Sequence, residues 1–326
     1  MKRGAEVVVV GSYVRDLTWK CAAFPRAGQT VLGEFTGGPG GKGSNQAVAA
    51  SRAGAATCFV GAVGADAFAA EAKRFYRAEG IAACWIEKPR HPTGTAGILV
   101  SAAGENQIVV ALGANAALAP RDVEERLWRH ARVVVCQFES RLATVAAVLR
   151  RARRAGVTTI LNPAPMRPDF APALLREVDI LIPNETEFLA LVQRLPAAAA
   201  VADERFRSAS GCLAEAVLTP LVATELHRLC RATGVPYVIL TLGARGCLVS
   251  QPEGWARLSA HAVSVLDTTG AGDAFVGAFA AGYVKSGGDL LAAARYGNAA
   301  AGLAVTKFGT APAMPRAAQI ARLLRA

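Results

Sequence analysis

The 326-residue chain is long enough to bury one large α/β core with a small appendage. Its seven cysteines are odd in number, scattered and without a CxxC pair, which argues against a disulfide scaffold or a zinc site, and its four histidines lack ligand spacing. The net charge of +11 would suit an anionic ligand, and no stretch approaches the roughly 18 uninterrupted apolar residues of a membrane span.

The first element is EVVVVG, whose four valines are too few for a secretory apolar region and read as a buried strand ending at Gly11. A cytoplasmic protein is expected. Residues 13–37 read as strand–turn–strand. Next comes the loudest glycine cluster, GGPGGKGSNQAVAASRAG (Gly37–Gly54), with a helix predicted from Gln46. Its GKGS fails a Walker A loop, because Gly43 stands where Ser or Thr must follow Lys42 and Thr36 stands where a glycine is required. Gly38, Gly40 and Gly43 satisfy the dinucleotide fingerprint, but too far from the first strand to carry weight. What survives is backbone bare enough for a small polar ligand to approach, with Lys42 and Asn45 facing it. A merely flexible loop is the alternative, disfavoured by the helix that follows directly.

ATCFVGAVG is the next buried strand. Residues 93–112 read as a second strand–turn–strand and would join 13–37 in a small sheet over the rim, as a lid. ARVVVCQFE precedes an amphipathic segment ending in RRARRAG, whose arginines complement a helix C-terminus stopped by Gly156. No interleaved aromatics accompany that basic run, so a solvated helix end is expected rather than a nucleic-acid surface. GVTTILNPAP, VDILIPNE and VPYVILTLG continue the alternation, while residues 195–232 read as extra helix without chemistry. Continuous apolar strands between helices predict a mostly parallel sheet covered on both faces. Ligands bind beyond the carboxyl ends of such strands, which here collect Gly11, Glu139, Asn162, Asn184 and Thr241.

DTTGAGDAFVGAFAAG (Asp267–Gly282) reads as a strand running into an apolar helix. The amides of Gly270, Ala271 and Gly272 would be unpaired at the helix start, with the positive dipole end outward, a ready anion site. Asp273 could simply cap the helix. An ordinary cap, however, needs no preceding Gly-Ala-Gly. An acid beside an anion site suits phosphoryl transfer, with Asp273 taking the proton of an attacking hydroxyl. PNETEF (Pro183–Phe188) offers Asn184, Glu185 and Glu187, either as acids acting through Mg²⁺ and its waters or as a capping box.

Taken together, GGKGSNQA, GANAAL, LNPAP, PNETE, TLGARG and DTTGAGD occur in an order that resembles the ribokinase branch of the PfkB carbohydrate kinases, over nearly the whole chain. The resemblance implies a Rossmann-like α/β domain (1–12, 38–92, 113–326) and a β lid (13–37, 93–112) often used for dimerisation. It implies Asp273 as catalytic base with Gly270, Ala271 and Gly272 as anion hole, and Asp16, Gly41, Lys42, Asn45 and Glu139 on the sugar. Asn184, Thr241, Gly243, Gly246, Gly272 and Asn298 would line the ATP site, with Glu187 influencing Mg²⁺. Asp267, Thr269, Ala304, Lys307 and Gly309 stand at the positions that hold K⁺. Two departures follow: Val14 replaces an Asn two residues before the sugar-binding Asp, and Ala313 stands where a Ser often completes the cation site. The implied activity is ATP-dependent phosphorylation of a primary hydroxyl of a small sugar, most simply D-ribose. Another sugar or a nucleoside, a dinucleotide-dependent oxidoreductase and a non-catalytic sugar sensor are the alternatives.

Overall fold

A computed structural model describes residues 4–199, 218 and 221–325 of the chain. Most of the 195–232 segment lies outside the described residues, as does Cys212. The strands are β1 (Val7–Val10), β2 (Val14–Cys21), β3 (Gly33–Gly40), β4 (Thr57–Val63), β5 (Ala82–Glu87), β6 (Gly94–Ser101), β7 (Asn106–Ala111), β8 (Val133–Cys136), β9 (Thr158–Leu161), β10 (Ile180–Leu181), β11 (Tyr237–Thr241), β12 (Cys247–Gln251) and β13 (Gly254–Leu258). Nine of them form one sheet in the order β13-β12-β11-β10-β9-β8-β1-β4-β5. All neighbours from β11 to β5 are parallel, and β12 and β13 close the far edge antiparallel.

The four valines of β1 show why this sheet is central. Val8 and Val10 enter one apolar cluster and Val7 and Val9 the other, so both faces are buried, as a continuous apolar strand requires. β5, β12 and β13 add to the predicted strands. β5 and β13 are the two edges of the sheet and only partly buried, whereas β12, paired on both sides, is a short run directly after the turn at Gly246.

The remaining four strands make a separate sheet in the order β3-β2-β6-β7. It draws on both stretches read as strand–turn–strand, and β3 runs on to Gly40. Gly37–Gly40 is therefore strand rather than loop, and the following helix starts at Lys42 instead of Gln46. Gly41, with φ 88°, makes the turn between them.

The segment before the 267–273 motif also differs from expectation. Residues 259–270 are irregular, and Val265 and Leu266 are exposed; their amides do not join the sheet, and Leu266 instead donates to the Val305 carbonyl. The alternating VSVL pattern looks like a strand, but β13 already ends the sheet at Leu258. The basic run behaves as a helix end: helix Leu142–Arg154 stops before Gly156 (φ 76°), and Arg150 and Arg153 pair with Glu177 and Asp179. Among the described residues no helix is long and apolar enough to cross a membrane.

Candidate active site

The carboxyl ends of β1, β8, β9, β10 and β11 open toward one rim. Three helix starts face it, at Lys42, Glu185 and Ala271. Helix Ala271–Lys285 is capped by Gly270 in the left-handed region (φ 78°, ψ 0°), with no side-chain cap. Asp273 thus does not cap its own helix. Its carboxylate instead accepts from Asn45 Nδ2 (3.0 Å) and Gln46 Nε2 (2.9 Å) of helix Lys42–Arg52. An acid held by two neutral amides keeps one defined orientation and still has lone pairs to accept with.

The amides ahead of Asp273 are less free than the sequence suggests. Ala271 N–H donates to the Thr268 carbonyl at 3.2 Å, so this member of the expected anion hole already has a partner. The first bond of the helix ladder runs from Ala274 N–H to Gly270, which leaves Gly272 and Asp273 as the first-turn amides outside that ladder.

The two helices approach closely because Gly277 has no side chain. A Cβ there would lie 2.3 Å from the Gln46 carbonyl. Gly277 is one turn beyond Asp273, so the contact that brings Asn45 and Gln46 within reach sits on the same helix face as the acid.

On the other side of Asp273, Glu139 Oε2 accepts from Ser12 Oγ (2.6 Å) and the Lys42 backbone N–H (2.8 Å). Gly43 N–H also meets Ser12 Oγ, at 3.3 Å. Burial works against the Lys42 ammonium, but the carboxylates of Asp273, Glu139 and Glu187 outweigh it and raise its pKa. Asp16, on β2, accepts from Thr310 Oγ1 at 3.3 Å. Burial pushes its carboxyl up to about 7, the Thr310 bond opposes this, and Glu139 and Asp273 reinforce it. The glycines serve this packing: a Cβ on Gly40 would stand 2.2 Å from the Asp16 carboxylate, and one on Gly43 would stand 2.6 Å from Ser12 N. Two glycines of the dinucleotide-like spacing, Gly40 and Gly43, therefore have a packing cause, while a Cβ on Gly38 would meet nothing within 4 Å. Val14 is buried and presents no polar atom beside Asp16.

At the β10–β11 end, Asn184 and Glu187 form a full capping box, with Glu187 N–H on Asn184 Oδ1 (2.8 Å) and Asn184 N–H on Glu187 Oε2 (2.9 Å). The capping alternative is what the local geometry displays. Burial raises the Glu187 pKa, against the Asn184 amide and Lys42. Thr241 bridges to Asn184 and donates to the Pro183 carbonyl. Gly243 has open space at its Cβ position, whereas at Gly246 (φ 83°) a Cβ would strike the Leu258 carbonyl at 1.9 Å. Asn298 donates to the Ser259 carbonyl (2.7 Å), so it anchors the irregular segment that leads to the 267–273 motif.

Asp267 gathers the last group. Its carboxylate accepts from Thr269 N–H (2.8 Å) and Gly309 N–H (2.9 Å), and its own N–H donates to Val305 in the turn that holds Ala304 and Lys307. Two backbone N–H groups thus fix the Asp267 carboxylate beside the turn that carries Ala304 and Lys307, and oxygen is the ligand a simple cation takes. Ala313 is buried and adds no oxygen. Among the described residues no cluster of three or more His, Cys, Asp or Glu side chains could hold a metal ion.

Ser12, Gln46, Gln137 and Thr310 were not singled out from sequence, and Asn162 was noted only as a rim residue. Each is a neutral polar residue in a run of small or apolar ones, and only the contacts made in the fold distinguish them.

Comparison with known proteins agrees with this geometry. Residues 5–317 match the model of the pfkB family carbohydrate kinases. The chain is 36% identical over 285 residues to the ribokinase of Mus musculus, covering 86% of this chain and 82% of that protein. It is 32% identical over 314 residues to the deoxyribokinase of Salmonella typhi, with 95% of each covered. The structure of Arabidopsis thaliana ribokinase complexed with ribose and ATP superposes with a TM-score of 0.80 at 28% identity, over 99% of both chains. The α/β sheet flanked by helices, the separate small sheet and the ordered motifs share one explanation: the chain belongs to the pfkB family of carbohydrate kinases.

Proposed function

We propose that the protein transfers the γ-phosphoryl group of ATP to the primary hydroxyl of a small sugar, D-ribose in the first instance, giving ribose 5-phosphate. The observation that carries this is Asp273, held by Asn45 and Gln46 instead of capping its helix, one residue from the Gly270–Gly272 turn. In this reading Asp273 accepts the proton of the attacking hydroxyl, and the first-turn amides, Gly272 foremost, hold the moving phosphoryl group. Asp16, Gly41, Lys42, Asn45 and Glu139 hold the sugar. Asn45 Oδ1 is buried without a protein partner, which leaves it to accept from a sugar hydroxyl. Asn184, Thr241, Gly243, Gly246 and Asn298 border the nucleotide.

The carboxylate of Glu187, satisfied by its cap, fits an outer role toward Mg²⁺ through water. Mg²⁺ would supply charge neutralisation on the phosphates. Asp267 with the carbonyls of Thr269, Ala304, Lys307 and Gly309 would hold K⁺, adding fixed positive charge beside the anion site. Residues 13–37 and 93–112 act as a lid on the remainder and as the face of a homodimer, and the protein works in the cytoplasm.

Val14 favours a second reading, a sugar lacking one of the ribose hydroxyls, in line with the deoxyribokinase relative. An ADP-release assay over D-ribose, 2-deoxy-D-ribose, hexoses and nucleosides separates these. Highest kcat/KM with D-ribose supports the first reading, and highest with the deoxy sugar the second. Absence of turnover across the panel overturns both.

A further inference from the structure

The Gln46 amide that holds Asp273 belongs to a longer chain of buried amides, whose other members the proposed function does not use. Gln46 and Gln137 are fully buried, and Asn162 nearly so. Gln46 Nε2 donates to Asp273 Oδ1 (2.9 Å) and to Asn162 Oδ1 (3.0 Å), while Gln46 Oε1 accepts from Gln137 Nε2 (2.6 Å). Asn162 Nδ2 donates to the Ile182 carbonyl (2.8 Å) and reaches Glu187 Oε2 at 3.5 Å.

The direction of every amide in this chain is forced by its ends. A carbonyl and a carboxylate only accept, so Asn162 must turn its NH₂ toward Ile182 and Glu187 and its oxygen toward Gln46. Gln46 must then aim its NH₂ at Asn162 and Asp273. Rotating it by half a turn would set its oxygen against two acceptors and leave a buried carboxylate short of a donor, and each unmet buried group is costly. Packing alone would be served by Leu or Met at these sites. A buried network with one permitted polarity fixes geometry as well.

We propose that Gln46 is a positioning residue for Asp273, and that Asn162 extends its hold to Glu187, so that the base and the nucleotide-side acid are set as one unit. This rests on reading Asp273 as the base. Gln46 touches neither substrate; it acts through the orientation of the carboxylate. Misplacing a reacting group by about 1 Å costs on the order of 100-fold in rate.

The test is kinetic. Gln46→Met keeps length and burial but removes the amide. Its kcat is expected to fall about 10- to 100-fold, with KM for sugar and for MgATP each within about threefold of wild type, a split that a general loss of folded protein would not produce. Asn162→Leu should lower kcat by less, and the double variant should match Gln46→Met alone, because the two residues act in one chain. Wild-type kcat in Gln46→Met, or losses that simply multiply in the double variant, would overturn the proposal. If Gln46→Met does not fold, Gln46→Glu serves: it keeps the shape but meets Asp273 without the amide, and an unchanged kcat there overturns the proposal equally. Asp273→Asn is assayed in parallel. Near-wild-type turnover in that variant overturns the base itself, whereas its loss beside a fully active Gln46→Met overturns only the positioning role.

Discussion

Asp273 and Asp16 are two acids in one site with opposite supports, and each makes its own prediction. Asp273 receives two amide donors from a neighbouring helix. Asp273→Asn keeps the shape and can no longer accept a proton, so turnover should fall by about 10²- to 10⁴-fold while ATP affinity stays within a few-fold. Steady-state kinetics with equilibrium nucleotide binding checks both halves. Asp16 has a single, longer bond from Thr310, and burial carries its carboxyl up to about 7. The neutral form is therefore favoured in the folded protein between the ordinary carboxylate range and about 7. In the proposed reading the ionised form is the one that accepts from the sugar hydroxyls. The kcat/KM for sugar should accordingly drop as pH falls through 7, and the KM for ATP should not follow it. A flat profile from pH 6 to 8 would count against Asp16 as a sugar ligand. Val14, two residues earlier on β2, contributes no compensating polar group.

Helix Lys42–Arg52 and helix Ala271–Lys285 carry the site between them, and Gly277 sets their spacing. The atom a side chain would occupy there is 2.3 Å from the Gln46 carbonyl. Gly277→Val should force the helices apart, costing about 1–3 kcal/mol of stability through overpacking. It should also lower kcat, because Asn45 and Gln46 withdraw from Asp273. Thermal denaturation read beside kinetics tests this, and a variant of wild-type stability and turnover would contradict it. The turn from Ala304 to Gly309 is the other element to probe. With Asp267 joined to it through Gly309 N–H, exchange of K⁺ for Na⁺ should lower activity, and Asp267→Ala should remove the difference. The same rate in either ion would contradict a K⁺ site.

Over the whole molecule, a broad buried sheet presents a rim and a small sheet stands apart from it. The small sheet leaves Trp19, Phe35, Ile108, Val109 and Val110 exposed, Val109 to 73%. The register places Trp19, Phe35 and Val109 on one face of this sheet and Ile108 and Val110 on the other, and exposed apolar side chains like the first three are what a docking face offers. The proposed homodimer predicts that sedimentation at micromolar concentration reports twice the chain mass, and that Val109→Arg shifts the protein toward monomer. A wild-type chain that sediments as a monomer at all concentrations removes this assignment.

Much of this architecture is legible from local chemistry. EVVVVG needs burial on both faces, which specifies a central parallel strand, and Gly-Ala-Gly before Asp273 specifies a helix start without a side-chain cap. The ordered motifs, read together, specify the family. Strands β5 and β13 escaped as partly buried edges and β12 as a short run directly after the turn at Gly246, and the false strand before Asp267 arose because an alternating pattern fits any extended segment. The tertiary structure alone decided that Asp273 is held by helix Lys42–Arg52, that Ala271 N–H is occupied, and that Gln46 and Asn162 link two acids. The contacts of Gln46 with Asp273 and Asn162 join residues more than 100 positions apart, and an amide side chain carries no mark in sequence of which partner it will meet.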